Sequence, residues 1–222
     1  MQKFDTPSPV FVTMDIPAGT VQLIATDRAD TAVQVLPADA SKKRDVKAAA
    51  QTEIGYQDGV LRIASPEGNR VLGSTGALRV TIELPTGSRI QGKAGAAELR
   101  TTGRLGNVTF EGGYRTISLD EAASADLKAH MGDITITHLA GPAQIRNGKG
   151  DITIDEATTG AIELRTDMGN LTVTAAPGTS ATLDAGTSHG RITNTLRNTA
   201  GAAAALTIKA TTAHGDITAS SR

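Results

Sequence analysis

From residue 97 onward, apolar, polar and apolar residues alternate in short triplets that return at near-constant intervals. The first series is Ala97-Glu98-Leu99, Ile117-Ser118-Leu119, Ile134-Thr135-Ile136, Ile152-Thr153-Ile154, Leu171-Thr172-Val173, Ile192-Thr193-Asn194 and Ile217-Thr218-Ala219, at spacings of 20, 17, 18, 19, 21 and 25 residues. A second series interleaves with it: Val108-Thr109-Phe110, Ala125-Asp126-Leu127, Ala143-Gln144-Ile145, Ile162-Glu163-Leu164, Ala181-Thr182-Leu183 and Leu206-Thr207-Ile208, at 17, 18, 19, 19 and 25. Alternation with a period of two is that of a strand with one face buried. Two short strands per roughly 18 residues, joined by Gly-rich turns, predict an elongated all-β solenoid or β-roll whose coils each give one strand to each of two sheets. An antiparallel β-sandwich is the alternative, because regularly spaced short strands are its signature too. Like residues recur at the same point of every repeat, and this favours stacking of equivalent strands.

Residues 1–90 are β-rich but less regular. Strands are expected over 10–16, 20–25, 31–36, 60–64 and 78–84, a surface loop or short helix over 40–51, and a loop over 65–76. Terminal repeats of a solenoid are atypical because they close off an apolar end. The chain therefore reads as a capping part over 1–90 and a repeat region over 91–222, together one continuous domain. Residues 194–205 lengthen one coil, and the chain stops at Arg222 directly after a strand. An uncovered last strand is a template for pairing, so self-association through the C-terminal end is expected.

Composition narrows the partners. Aromatic residues make up only 2% of the chain, so the core must be built from Ile, Leu, Val and Ala, which suits a thin layered structure. A net charge of -1 gives no overall attraction to nucleic acid or to an anionic membrane. With no cysteine there is neither disulfide nor thiolate chemistry. No apolar stretch has the length of a signal-peptide core or a membrane span, so the expected location is cytoplasmic, with no direct membrane insertion.

The turn between the two strands of a coil carries Gly132-Asp133, Gly150-Asp151, Gly169-Asn170, Gly190-Arg191 and Gly215-Asp216. Glycine admits a positive φ, and Asp or Asn bonds nearby amides, so the structural reading is turn chemistry. Calcium is the competing reading for Asp133, Asp151 and Asp216. Calcium-binding β-rolls, however, use a denser Gly-Gly-x-Gly-x-Asp motif than the one Asp per coil found here. Stacked carboxylates such as Asp133 and Asp151 would also suit glycoside hydrolysis, but no acidic cleft gathers around them and aromatics to stack a sugar are scarce.

Three histidines, His130, His189 and His214, precede turn glycines. If the last two coils stack, His189 and His214 become neighbours, and an imidazole pair can ligate zinc; without a third ligand they read as solvated turn residues. Thr135, Thr153, Thr172, Thr193 and Thr218 form an outward ladder like that of ice-binding solenoids, although β propensity alone explains threonine there. The opposite face alternates Asp126, Lys128, Gln144, Arg146, Glu163 and Arg165, a mixed-charge surface without a basic stripe for nucleic acid. No cofactor is called for, and the sequence does not identify a protein partner.

The segments "GDITI", "GDITID" and "GNLTVT", behind the entry "ALRVTIELPTGSRIQGKAG" and the lead-ins "DIPAGTVQLIATD" and "DGVLRIASP", resemble the bacterial β-strand-repeat family of candidate adhesins known as the toastrack domain. The resemblance covers nearly the whole chain. It implies a non-enzymatic β module linked to cell-envelope stress systems or adhesion, with no catalytic residues to carry over. Taken together, the expected function is a non-catalytic interaction or assembly scaffold, and the alternative is a solenoid that binds calcium, ice or a glycan.

Overall fold

The structure, a computed structural model, describes residues 1–65 and 76–222. The loop expected over 65–76 therefore lies, apart from its end residues, outside the described residues. The chain divides into two units, Met1–Arg115 and Thr116–Arg222.

In the first unit the elements run β1 (Gln2–Asp5), β2 (Phe11–Thr26), β3 (Asp30–Pro37), α1 (Lys43–Gln51), β4 (Glu53–Gln57), β5 (Val60–Ala64), β6 (Leu78–Pro85), β7 (Arg89–Thr102) and β8 (Arg104–Tyr114). The long strands β2 and β7 lie parallel, with Phe11 beside Arg89 and Val21 beside Leu99. Each is a whole coil that serves two sheets. The first part of β2 pairs on its other side with β5 and the second part with β6. The chain bends between them at Pro17-Ala18-Gly19, where a Cβ on Gly19 (φ +127°) would lie 1.8 Å from the carbonyl oxygen of Leu78. Val12, Met14, Ile16, Val21 and Leu23 are buried between the sheets.

Antiparallel strands then end the parallel stacking: β3 on β6, β1 on β3, and β4 on β5. These antiparallel pairings lie within the first unit, and β1 and β4 are strands that the hydropathy pattern did not announce. Within the segment 40–51, Lys43–Gln51 form α1, an Ala-rich run of good helix formers. It packs against β3 and β6, and the carboxylate of its buried Asp45 accepts the amide of Ala77 at 3.0 Å.

The second unit contains β9 (Ile117–Met131), β10 (Ile134–Leu139), β11 (Ala143–Lys149), β12 (Ile152–Ala157), β13 (Gly160–Met168), β14 (Leu171–Ala175), β15 (Ala181–His189), β16 (Ile192–Thr195), β17 (Leu206–His214) and β18 (Ile217–Ser221). All its pairings are parallel, as a solenoid requires and a sandwich does not. One sheet stacks the start of β9 with β10, β12, β14, β18 and β16; the other stacks the end of β9 with β11, β13, β17 and β15. The triplets predicted from the pattern are the register partners: Ile134 lies beside Ile117 and Ile152, and Ile162 beside Ala143 and Ile208. Their apolar members are buried, except in the last coil outward.

The coils are not stacked in chain order. β17 and β18 lie between β13–β14 and β15–β16, so that Thr218 has Thr172 on one side and Thr193 on the other. The C-terminal strand, expected to be the uncovered one, is internal. The outermost coil is instead Ala181–Thr195, and among the described residues its strands β15 and β16 are paired on one side only. The lengthened segment 194–205 makes this possible, because it carries the chain back past one coil. Ser180 anchors it: its Oγ accepts the amides of Thr199 and Ala200, both at 3.0 Å. The amide of Arg197 donates to Ser221 Oγ at 2.9 Å.

Candidate functional site

The repeated turn residues form a ladder that joins coil to coil. Asp133 Oδ1 accepts the amide of Asp151 at 3.0 Å, and Asp151 Oδ1 that of Asn170 at 2.7 Å. Asn170 Oδ1 accepts the amide of Asp216 at 2.9 Å, and Asp216 Oδ1 that of Arg191 at 2.8 Å. Each carboxylate or amide oxygen thus serves the coil above it rather than its own turn. The pattern ends in Arg191 because that coil has no successor whose amide would need an acceptor.

Beneath this ladder runs a second one. Asn147 Nδ2 donates to the carbonyl of Gly132 at 2.8 Å, Thr166 Oγ1 to Gly150 at 3.3 Å, Thr212 Oγ1 to Gly169 at 3.0 Å and Thr187 Oγ1 to Gly215 at 3.0 Å. The glycine amides complete the set, Gly169 donating to His214 and Gly215 to His189. The turns must approach closely for this: a Cβ on Gly150 would meet the Gly132 carbonyl at 2.3 Å, and one on Gly190 the Gly215 carbonyl at 1.9 Å. Donors and acceptors of each corner are thereby paired across coils, as buried and half-buried backbone requires.

Thr135, Thr153, Thr172, Thr218 and Thr193 stand in one outward column in that spatial order. On the opposite sheet Lys128, Arg146 and Arg165 are register neighbours, beside the column Asp126, Gln144 and Glu163. Gln144 Nε2 donates to Glu163 at 3.2 Å. Among the described residues no three His, Cys, Asp or Glu side chains are placed to hold a metal ion. His189 and His214 do meet: they are register partners, and their rings stack with centroids 4.6 Å apart and planes 12° from parallel. His130 lies on β9, away from this pair in the stacking order.

The outermost coil differs from those below it. Ile192 is 44% exposed whereas its register partner Ile217 is buried, and all of β16 is exposed. Leu183 and Ala185 on β15 are half-buried where Ile208 and Ala210 beneath them are buried. Among the described residues, two backbone edges and the end of the apolar interior are therefore open together.

These coils and corners match the family model described as Toastrack DUF4097 over residues 12–220. The chain belongs to the Toastrack DUF4097 family. Among solved structures it is similar to a candidate adhesin from Bacteroides fragilis, at 13% identity and a TM-score of 0.54 over 98% of this chain and 95% of that one. A candidate adhesin from Parabacteroides distasonis matches at 15% identity and a TM-score of 0.45, over 100% and 95%. No functionally curated protein matches in sequence. The likeness to the Bacteroides structure is one of fold.

The turn glycines and aspartates named from the sequence lie at these corners, the aspartates serving the neighbouring coil rather than their own turn, and the residues of the second ladder were not among those named. Its signal was present, since Asn147, Thr166, Thr187 and Thr212 each stand three residues before a turn glycine. No helix among the described residues is long and apolar enough to cross a membrane.

Proposed function

We propose that this toastrack chain is a non-catalytic interaction and assembly module of the bacterial envelope, which associates by strand addition at the β15–β16 end. The observation that carries the reading is the one-sided pairing of both strands of the outermost coil. Natural edge strands are blunted by charged side chains, above all Lys, by Pro or by bulges; residues 181–195 contain neither Lys nor Pro, and Asp184 and Arg191 are their only charged side chains apart from His189. The occupant we favour is the same end of a second copy, which a two-fold axis would bring up antiparallel in both sheets. A nine-residue strand is about 30 Å long. With sheets about 10 Å apart and side chains outside them, the end offers on the order of 600 Å² per copy, near the lower bound for a specific interface.

Two further points support a binding role over a catalytic one. The repeated carboxylates already accept amides of neighbouring coils, and the Bacteroides structure that shares the fold is named for adhesion. That name speaks for a surface location over the cytoplasmic one expected from the sequence, and fractionation of the native cell decides between the two. Light scattering on size-fractionated protein tests the assembly: a concentration-dependent dimer reduced to monomer by Ile192→Lys supports the reading. A strict monomer at high concentration contradicts it.

A further inference from the structure

One column of the corner is unlike the rest of the surface. It reads, from register partner to register partner, Met131, Lys149, Met168, His214 and His189. Methionine belongs among the more buried residue types, yet Met168 and Met131 are 48% and 47% exposed, and of the two only Met168 neighbours a histidine in the column. Beside it stand two imidazoles already face to face, 4.6 Å apart at the centroids. The three side chains come from three coils, successive in space but not in sequence.

We propose that Met168, His214 and His189 bind a copper ion, Cu(I) in particular. A thioether is a soft ligand that selects Cu(I), imidazole suits copper in either state, and this chain holds no cysteine to compete for it. A metal about 2.0 Å from each of two ring nitrogens needs those nitrogens within about 4 Å of each other. Because each nitrogen lone pair lies in its ring plane, the stacked rings must turn out of their stack to share one ion, and exposure of both side chains to solvent leaves them free to do so. Met168 flanks His214 on the side away from His189, so the central imidazole turns toward an ion that the outer two residues complete. Lys149 ends the soft column below Met168 and keeps Met131 out of the set. Ligation would tie the coil of Met168, the inserted C-terminal coil and the outermost coil together at one corner, and so secure the coil with the fewest backbone partners.

The test is competition for Cu(I) held by a coloured chelator, in reductant, with untagged protein so that no added histidines contribute. The wild-type chain is expected to withdraw one equivalent and to show a raised melting temperature. His189→Ala, His214→Ala and Met168→Leu should each weaken binding by roughly tenfold or more, at least what losing an outer-shell partner costs a metal site. Met131→Leu should leave binding unchanged. All four positions are exposed, and circular dichroism before the titration verifies that each variant is folded. Failure to withdraw copper, binding that survives either histidine substitution, or equal effects of Met131→Leu and Met168→Leu would overturn the proposal.

Discussion

Asp216 Oδ1 accepts the backbone amide of Arg191 at 2.8 Å, although Arg191 comes 25 residues earlier in the chain. In every other rung the acceptor precedes the donor: Asp133 to Asp151, Asp151 to Asn170, Asn170 to Asp216. The reversal marks the point at which the chain folds back under its own last-built coil. It also gives the turn residues a graded importance, since an acceptor matters only where a coil lies above it.

Asp216→Ala should therefore destabilise the protein by about 1 kcal/mol, the usual net worth of a hydrogen bond, with the Arg191 amide left without its acceptor. Arg191→Asp restores the motif in sequence but should change stability by less than about 0.5 kcal/mol, because no amide awaits the new carboxylate. Urea unfolding of the two variants separates this account from one in which each Asp caps its own turn.

Asn147 is buried, and its Oδ1 has no hydrogen-bond partner among the described residues although its Nδ2 serves Gly132. Threonine fills the corresponding place at residues 166, 187 and 212 with a donor and no orphaned carbonyl. Asn147→Thr should raise stability by about 1 kcal/mol, the lower end of what an unsatisfied buried polar group costs, and thermal unfolding will show it as a higher Tm.

The turn glycines are not equivalent. Gly215 has φ +149°, and a Cβ there would lie 2.0 Å from the carbonyl oxygen of Gly169. Gly215→Ala combines backbone strain of about 1–3 kcal/mol with overpacking of similar size, so a loss of several kcal/mol is expected. On the open strand β15, a Cβ added to Gly186 would meet nothing within 4 Å, and the backbone there has no positive φ. Gly186→Ala should be neutral or stabilise by about 0.4–1 kcal/mol through the unfolded chain.

Acid should weaken the N-terminal unit. Asp39 is held down to about 2 by the hydroxyl and amide of Ser41, at 2.7 and 3.0 Å, and then by Lys42. The hydrogen bond from Arg28, Nε to Oδ1 at 2.8 Å, lowers Asp30 as well, and Arg28 also donates to Glu83. Carboxylates whose folded values are depressed lend stability that is present above their unfolded value, about 3.9, and lost as pH falls through the folded one. Stability should decline between about pH 4 and pH 2. In a pH series of urea midpoints, Asp39→Asn should flatten that decline.

The two-sheet solenoid was legible because each coil repeats the same alternation and the same Gly-Asp corner. The stacking order was not, and for a physical reason: coils with equivalent edges pair in the same register whether they follow chain order or exchange places. Ile192-Thr193-Asn194 fits against Ile217-Thr218-Ala219 as well from one side as from the other. Two features carried the missing information. Arg191 stands where an acceptor would be idle, and the long return after Thr195 allows one coil to be passed. The strands β1 and β4 escaped notice because four or five residues with an exposed pattern hold too little periodicity to register.

Coil order decides where the open end lies, and pairwise cysteine cross-linking in this cysteine-free chain tests it most directly. Register neighbours on parallel strands lie about 4.8 Å apart, within the Cα range of disulfides, and residues two strands apart lie at about twice that, beyond it. Mild oxidation followed by mass spectrometry should find a bond in Thr172→Cys/Thr218→Cys and in Thr193→Cys/Thr218→Cys, and none in Thr172→Cys/Thr193→Cys. A bond in Thr172→Cys/Thr193→Cys without one in Thr172→Cys/Thr218→Cys would put the coils back in chain order and contradict the account.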